Sequence, residues 1–465
     1  MEISKILDEL LEKEKELSVT DFKYRGIELW RLFRFDCRRG YIQKYNPEYS
    51  NKTRRMSKMR FLCFMLYQLL KSFVQLLGLL LRGEQVENVV FAFPRLQVFK
   101  DTWVIDKYTD PVIENSVLNK NVLVLQQSGR TYLGRKQRFK QQRVIQMESI
   151  RLIANCGALF CLLLLPLCPV AKELYRLWRR TSDTFGLSWR TFLQWCYMYH
   201  SFIIQSFIYK CLFKRLSCRN IFVVNRLVFI SQIHAAHKLG ILAYEFQHGV
   251  TQGKTELYSG EYNSLLDPDY FLNFSQIWRG PQFGMPLDKQ INIGWAYRKF
   301  VEEAFQDNKY SSDTILVISS PEITEKLIYT IIELAGNNAD VVFHIRCHPQ
   351  ESIPDVLKTK IEEYSNIEIA DNSIDSYIAL FSYQHVLGEN SSVLYEALDM
   401  GKNVGRFSYN GFVPVRTSDK LEEAFFYLQS SKELHEFMHR DHPVVERKGY
   451  EDFNSGVFND LISIR

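Results

Sequence analysis

The stretch that decides the fold runs from Asp313 to Gly401 and reads DTILVISSPEITEKLIYTIIELAGNNADVVFHIRCHPQESIPDVLKTKIEEYSNIEIADNSIDSYIALFSYQHVLGENSSVLYEALDMG. Short apolar runs (DTILVISS, ADVVFHIR, NIEIADN, HVLGEN) alternate in it with longer helix-like segments. Strands that alternate with helices in this way favour a parallel sheet, because each helix carries the chain back to start the next parallel strand. The stretch therefore predicts a doubly wound, Rossmann-like domain.

Upstream of this stretch, similar strand-like runs recur at 87–96, 120–129, 219–226 and 240–249. They predict a second parallel sheet in the N-terminal half. The predicted fold class is therefore α/β, with two Rossmann-like domains that face each other across a cleft and with helical insertions in the first of them.

The expected division of the chain has three parts. They are an N-terminal helical segment at 1–85, a first Rossmann-like domain at 86–295 with a helical insertion at about 140–215, and a second Rossmann-like domain at 296–465. A length of 465 residues agrees with two or three domains.

Composition narrows the class of protein. With 46% hydrophobic and 24% charged residues, the chain is not predominantly disordered, and a net charge of +5 is too small to indicate a dedicated nucleic-acid binder. The nine cysteines form no CxxC pair, so a zinc framework has no support and a reducing compartment fits best.

Residues 61–81 are apolar on nearly every helical face and follow a basic run at 52–60. The segment is long enough to span a bilayer, but Lys71 near its middle would cost about 2.5–3.5 kcal/mol on insertion. A helix that lies in the membrane interface fits better, and a helix buried in the protein is the alternative.

Candidate ligand-binding residues follow two strands of the second half, because ligands of open parallel sheets bind at the carboxyl ends of the strands. One strand leads into Arg346, His348 and Pro349. Another leads into Glu389, Asn390, Ser391 and Ser392. The second group also begins a helix, whose amide groups and hydroxyls favour a phosphate. The simpler alternative is that Ser391 only caps the helix and His348 is only a loop residue.

In the first half, a strand ends at Gln247, His248 and Gly249. A neutral imidazole there can remove a proton from an acceptor hydroxyl, although a structural histidine beside a turn glycine is the alternative. Asp110 also follows a strand and is a second candidate base, although acids in such positions are more often solvated loop residues.

Several common signatures are missing from the sequence. There is no GxxxxGK[ST] phosphate loop, no GxGxxG after a strand and no DxD pair at a strand end. The sequence therefore predicts no nucleotide hydrolysis, no NAD or FAD cofactor and no bound metal.

Three motifs together resemble the GT-B fold glycosyltransferases of bacterial surface polysaccharides. These are QHG at 247–249, RCHP at 346–349 and ENSSVLYEAL at 389–398. The enzymes they resemble use cytidine-activated donors: sialyl- and polysialyltransferases, capsule Kdo transferases and CDP-glycerol glycerophosphotransferases. The resemblance covers about 220–415, and it lacks the acidic motif of the sialyltransferases.

The resemblance implies a role for each motif. It assigns donor binding to His348, Pro349, Ser391 and Ser392, contact with the donor's sugar or ribose to Glu396, and the role of base to His248. It implies a transfer from a CMP- or CDP-linked donor to a glycan or lipid-linked glycan. Because a helix start and a histidine can neutralise the leaving phosphate, we expect the transfer to need no metal. The basic apolar segments would hold the enzyme at the inner face of the cell membrane. A nucleotide-sugar epimerase and a non-catalytic glycan assembly or export subunit remain alternatives.

Overall fold

The computed structural model describes residues 3–45, 58–92, 96–99, 103–127, 136–137, 143–250, 255, 257–304, 312–320, 322–348, 351–372, 374–414, 420–441 and 449–463. Within these ranges the chain forms two Rossmann-like parallel sheets with helices packed on them. The α/β fold class predicted from the sequence is confirmed.

The first sheet has seven parallel strands. In spatial order they are β12 (Gln290–Asn292), β11 (Tyr270–Asn273), β10 (Leu242–Phe246), β9 (Asn220–Val223), β3 (Asn88–Phe91), β6 (Val122–Gln126) and β8 (Arg143–Gln146). The chain fills one side of β3 and then crosses to fill the other side. The order therefore reverses between β3 and β9, and this is the switch point of the sheet.

The second sheet has six parallel strands. In spatial order they are β15 (Ile367–Ile369), β14 (Val342–Arg346), β13 (Thr314–Ile318), β16 (His385–Gly388), β17 (Asn403–Phe407) and β18 (Phe426–Leu428). Its order reverses between β13 and β16, which gives the strand arrangement of a dinucleotide-binding sheet. The short strands β1 (Lys23–Tyr24) and β2 (Ile27–Glu28) form a hairpin, and β4 (Gln97–Phe99), β5 (Trp103–Ile105) and β7 (Lys136–Gln137) form a small third sheet.

Helices cover these sheets and build a separate helical layer on the first half. They are α1 (Ile3–Glu16), α2 (Trp30–Tyr45), α3 (Lys58–Arg82), α4 (Asp110–Glu114), α5 (Glu148–Leu163), α6 (Pro169–Phe185), α7 (Trp189–Leu216), α8 (Ile230–His237), α9 (Tyr297–Ala304), α10 (Thr324–Asn337), α11 (Asp355–Glu362), α12 (Ser376–Leu380), α13 (Ser392–Asp399), α14 (Leu434–His439) and α15 (Ser455–Ser463). Helices α1 and α2 share a core with α6 and α7, in which Phe33 stacks on Trp195 with ring centroids 4.6 Å apart.

Aromatic side chains join the two halves. Trp295, just after β12, packs on Tyr377 of the second half at 4.9 Å and on Tyr450 at 4.5 Å between ring centroids. The chain then returns to the first half, where Phe458 of α15 packs in the core of the first sheet. In the described ranges, Trp295 precedes the passage into the second half and Tyr450 precedes the return to the first, and both belong to this aromatic cluster.

Candidate functional site

The turn after β10 holds the candidate base His248 in a defined position. The side chain of the buried Gln247 donates to the Gly249 carbonyl at 2.9 Å and accepts from the amide of Phe274 at 3.0 Å. This side chain therefore fixes the turn, and Gln247 and Gly249 act together to present the imidazole between them.

The half-buried imidazole of His248 meets two tyrosines. Its Nδ1 lies 2.8 Å from the hydroxyl of Tyr258, and its backbone carbonyl accepts a hydrogen bond of 2.7 Å from the hydroxyl of Tyr108. Burial raises the pKa of Tyr258 well above its ordinary value, so this phenol stays protonated near neutral pH. When Nδ1 carries the proton and donates to Tyr258, the Nε2 atom of a neutral His248 is the basic nitrogen.

Arginines of α2 hold the loop that carries Tyr258. Arg38 donates to the Ser259 carbonyl at 2.7 Å, and Arg31 donates to the Glu261 carbonyl at 3.0 Å. The guanidinium of Arg226 lies over the Tyr258 ring, 5.1 Å from its centroid. These contacts anchor the described part of the loop after His248, at 257–263, to a helix near the N-terminus. Residues 251–254 and 256 lie outside the described residues.

The segment from Asp106 to Asp110 forms a tight turn through its own carboxylates. Asp106 accepts from the amide of Tyr108 at 3.0 Å and from the hydroxyl of Thr109 at 2.9 Å, and Asp110 accepts from the amide of Asp106 at 2.9 Å. One oxygen of the candidate base Asp110 is therefore engaged within the turn. The turn positions Lys107 and Tyr108 for contacts with distant segments, which the sequence did not predict.

Lys107 of the first half contacts a buried acidic cluster of the second half, which consists of Asp375 and Glu396. Its Nζ lies 3.6 Å from Oδ2 of Asp375, and their side chains are only 11% and 2% exposed. Burial on its own would lower the pKa of Lys107, but the carboxylate of Asp375 raises it above its ordinary value. Lys107 therefore keeps its charge, and the pair links the two halves.

Glu396 of α13 belongs to the same cluster and is 4% exposed. Its Oε1 accepts a hydrogen bond of 3.5 Å from the hydroxyl of Tyr450, whereas its Oε2 has no hydrogen-bond partner among the described residues. Burial raises the pKa of Glu396 to about 7, against the opposing effect of Lys107, and Asp375 raises it further. A carboxyl with this pKa can give or take a proton near neutral pH.

The predicted donor-site residues lie at the carboxyl edge of the second sheet. His348 follows β14 and Ser391 follows β16, with β13 between them, so the two strand ends are roughly 10 Å apart by the usual strand spacing. Glu351 ties this edge together: it accepts from the amide of His348 at 2.7 Å and from the hydroxyl of Ser319 at 2.5 Å. Pro349 lies outside the described residues.

The helix start after β16 is built as the sequence suggests. The hydroxyl of Ser391 accepts from the amide of Val393 at 3.3 Å and caps α13, whose first residue is the half-buried Ser392. The preceding residues contact a neighbouring loop: Glu389 accepts from the amide of Val413 at 3.1 Å, and Asn390 donates to the Val413 carbonyl at 3.5 Å. The capping role named as the simpler alternative for Ser391 is thus present.

Arg346 has backbone partners at the end of β14. Its guanidinium donates to the carbonyl of Asp371 at 2.8 Å and to the carbonyl of Ile374. These bonds hold the loop that leads to Asp375, so Arg346 supports the buried acidic cluster as well as bordering the predicted donor site.

A cavity of about 680 Å³ opens at the amino edge of the first sheet, beside Asn88, Asn121 and Asn220. His248 follows the carboxyl end of β10, at the opposite edge of this sheet. These asparagines are bonded to one another: Asn88 donates to the Asn121 carbonyl at 3.2 Å, and Asn220 donates to Asn88 at 3.0 Å. The cavity contains none of the predicted site residues. Among the described residues, no group of three or more His, Cys, Asp or Glu is arranged to hold a metal ion.

Sequence reasoning missed Lys107, Tyr108, Tyr258, Asp375 and Tyr450. A local signal exists only for Lys107 and Tyr108, because the carboxylates of Asp106 and Asp110 flank them as turn formers do. The other three reach the site through contacts between distant segments, which sequence periodicity does not report.

The fold and site define an α/β protein of two Rossmann-like halves, joined by a buried ionic and aromatic interface. No protein-family model matches the chain, and no curated protein matches it. Similar solved structures include the UDP-GlcNAc 2-epimerase from Methanocaldococcus jannaschii, with TM-score 0.45 and 10% identity over 82% of this chain and 99% of that one.

Two further solved structures show similarity at the same level. The S. aureus MnaA–UDP structure has TM-score 0.45 and 9% identity over 81% of this chain and 95% of that one. The wall teichoic acid polymerase TagF has TM-score 0.45 and 12% identity over 86% and 97%. Similarity this weak carries no functional argument, so the functional assignment depends on the site itself.

Proposed function

We propose that this protein is a glycosyltransferase that moves a sugar, or a polyol phosphate, from a nucleotide-activated donor to a surface-polysaccharide acceptor. The donor is cytidine-linked in this proposal. The observation that carries it is the turn at Lys107 and Tyr108, which bonds to the backbone of the candidate base on one side and to the acidic cluster of the second half on the other. Tyr108 donates to the backbone carbonyl of His248 in the first half, and Lys107 pairs with Asp375, whose charge acts on Glu396 in the second half.

The second half binds the donor. The carboxyl edge at the switch point of such a sheet is where nucleotides bind, and the start of α13 offers amide groups and the Ser392 hydroxyl to a phosphate. His348 donates to the leaving phosphate, and Glu396 lies one turn further along α13, toward the donor's sugar or ribose. The helix start and the imidazole together stabilise the negative charge that develops on the leaving group, and no metal takes part in the proposed step.

The first half activates the acceptor. In the transfer, an acceptor hydroxyl oxygen bonds to the transferred group while the bond between that group and the leaving nucleotide breaks. The hydroxyl proton passes to Nε2 of His248, and the nucleotide leaves with the electron pair of the broken bond. The step requires the tautomer of His248 in which Nδ1 carries the proton and donates to the hydroxyl of Tyr258, 2.8 Å away.

A binding experiment tests the donor site. We expect CMP or CDP, but not GDP, to raise the melting temperature of the full chain, because a ligand that binds only the folded state stabilises it. Ser392→Ala and His348→Ala should reduce that shift. Ser430→Ala is the matched control, because Ser430 precedes a short turn and makes no capping hydrogen bond.

A turnover experiment tests the transfer. Product should form only when an acceptor glycan is present together with the donor. Product that forms without an acceptor would indicate the epimerase, and a folded chain that binds no nucleotide would indicate the assembly or export subunit.

A further inference from the structure

Helix α3 departs from the pattern of an ordinary surface helix, because polar side chains face the protein and most of its large apolar side chains face outward. The side chains that it presents to the protein include three polar ones, the buried Gln68 and Ser72 and the half-buried Gln75, together with the buried Leu79. Its outward side chains are large and apolar: Leu66, Tyr67, Leu70, Phe73, Val74, Leu77, Leu80 and Leu81. At 3.6 residues per turn, these outward side chains fill one arc of roughly 140° opposite the polar face. A helix in contact with water has the reverse pattern.

The polar face of α3 is bonded to the edge strand β8. Gln75 donates to the carbonyl of Val144 and accepts from the amide of Gln146, both at 3.0 Å. Ser72 donates to the carbonyl of Gln146 at 2.5 Å and lies 2.7 Å from the hydroxyl of Ser149. The side chain of Gln75 therefore pairs with β8 as a further strand would, and α3 is fixed along the edge of the sheet.

Helix α5 extends the same apolar surface. It turns small residues inward, among them Ser149, Ala154 and Ala158, and Gly157 lies so close to Ile204 of α7 that an added Cβ would approach its Cδ1 to 2.7 Å. The large apolar residues of α5 and of the turn after it point outward: Leu152, Ile153, Leu159, Phe160, Leu163, Leu164 and Leu167. Of 27 exposed large hydrophobic residues in the described part of the chain, 15 belong to these two segments.

The charge of this layer is strongly one-sided. Helices α3, α5, α6 and α7 contain 13 Lys and Arg residues against three acids, Glu148, Glu173 and Asp183. Their net charge of +10 compares with +5 for the whole chain, so the rest carries −5. Arg82 is exposed at the end of the stripe, and Arg215 of α7 donates to the Leu80 carbonyl at 3.2 Å.

We propose that the outward faces of α3 and α5 form a docking surface for an anionic bilayer, with α3 lying in the plane of the membrane. An apolar stripe with basic residues at its margins matches acyl chains below anionic headgroups. Cys63–Arg82, within α3, is the one described helix that is long and apolar enough to cross a membrane. In a crossing orientation the bonds of Ser72 and Gln75 would draw β8 into hydrocarbon, where an open sheet edge is not tolerated. The in-plane orientation keeps those bonds and buries only the apolar arc.

Vesicle flotation of the full chain tests the docking. We expect binding to vesicles that contain phosphatidylglycerol, weaker binding to pure phosphatidylcholine, and loss of binding at high salt. The triple variant Leu70→Glu, Val74→Glu, Leu77→Glu changes side chains that are 67%, 72% and 58% exposed, and it should reduce bound protein at least tenfold. Val356→Glu with Ile369→Glu, two exposed apolar sites elsewhere, should leave binding unchanged.

Depth measurement separates the in-plane orientation from a crossing helix. Probes at Leu66→Cys and Leu80→Cys, with the exposed Cys63, Cys156 and Cys211 changed to serine, lie roughly 21 Å apart along α3. Brominated lipids should quench the fluorescence of both probes at the same depth, whereas clearly different depths would overturn the orientation.

Equal flotation of wild type and triple variant, or a lipid-free dimer that the triple variant abolishes, would overturn the docking. Nucleotide binding is measured without vesicles, so the docking proposal and the transferase proposal fail independently.

Discussion

Nζ of Lys107 lies 3.6 Å from Oδ2 of Asp375, and this buried ion pair joins the two halves of the chain. In the same turn, Tyr108 hydrogen-bonds to the carbonyl of His248. A movement of one half relative to the other would therefore act on both the acidic cluster and the imidazole. Lys107 links the stability of the interface to the geometry of the proposed chemistry.

Lys107→Met should destabilise the folded chain by about 3–5 kcal/mol, because it leaves the carboxylate of Asp375 buried without its cation. Urea unfolding measures the loss. Lys358→Met, which breaks an exposed pair with Asp355, is the control and should change stability by less than about 1 kcal/mol. Equal losses of unfolding free energy in the two variants would show that the buried pair contributes no more to stability than the exposed pair.

Glu396 should make stability depend on pH. Its pKa rises from 4.5 to about 7 on folding. Between these values the unfolded carboxyl loses its proton while the folded one keeps it, so stability falls as pH rises through this window. The shift corresponds to about 3 kcal/mol. Glu396→Gln should flatten the decline in unfolding midpoint between about pH 5 and pH 8, and an unchanged profile in this variant would contradict the assignment.

His248→Gln should lower kcat by about 10²–10⁴-fold if the imidazole removes the acceptor proton. Tyr258→Phe should have a smaller effect and should shift the pH–rate profile, because Nδ1 loses the hydroxyl that lies 2.8 Å away. The exposed His435 supplies the control His435→Ala. Full activity of His248→Gln, with nucleotide binding intact, would exclude this base.

Ser391 and Ser392 should separate into a structural and a binding role. Ser391→Ala removes the cap of α13 and should cost about 1 kcal/mol of stability. Ser392→Ala should leave the unfolding midpoint unchanged and weaken nucleotide binding. Denaturation and calorimetric titration of both variants check this, and the opposite pattern would exchange their roles.

The sequence predicted the sheets well because parallel strands buried on both faces have a strong local pattern, as in VVFHIR before His348 and HVLG before Glu389. Helix starts depend on single capping residues and so have a weaker sequence pattern; α12, for example, is capped by Asp375. The capping role of Ser391 was predictable from its neighbours alone.

The acidic cluster was not predictable as a whole, although Glu396 was named from the resemblance. Asp375 occupies an ordinary helix-cap position, and nothing near it in the sequence indicates a lysine partner in the other half. Its importance depends on burial at an interface that forms only when both sheets have folded. Tyr258 was missed for a related reason, because the arginines of α2 that hold its loop are more than 200 residues away.

The amide of Gln75 has a consequence for handling this protein. Removing α3 to obtain a less hydrophobic protein would expose the Val144 carbonyl and the Gln146 amide along the open edge of β8. An open edge strand of this kind can pair with the same edge strand of a second molecule. The shortened protein should therefore form oligomers through pairing of these edge strands, and should not become more soluble. A charged substitution on β8 should restore its solubility.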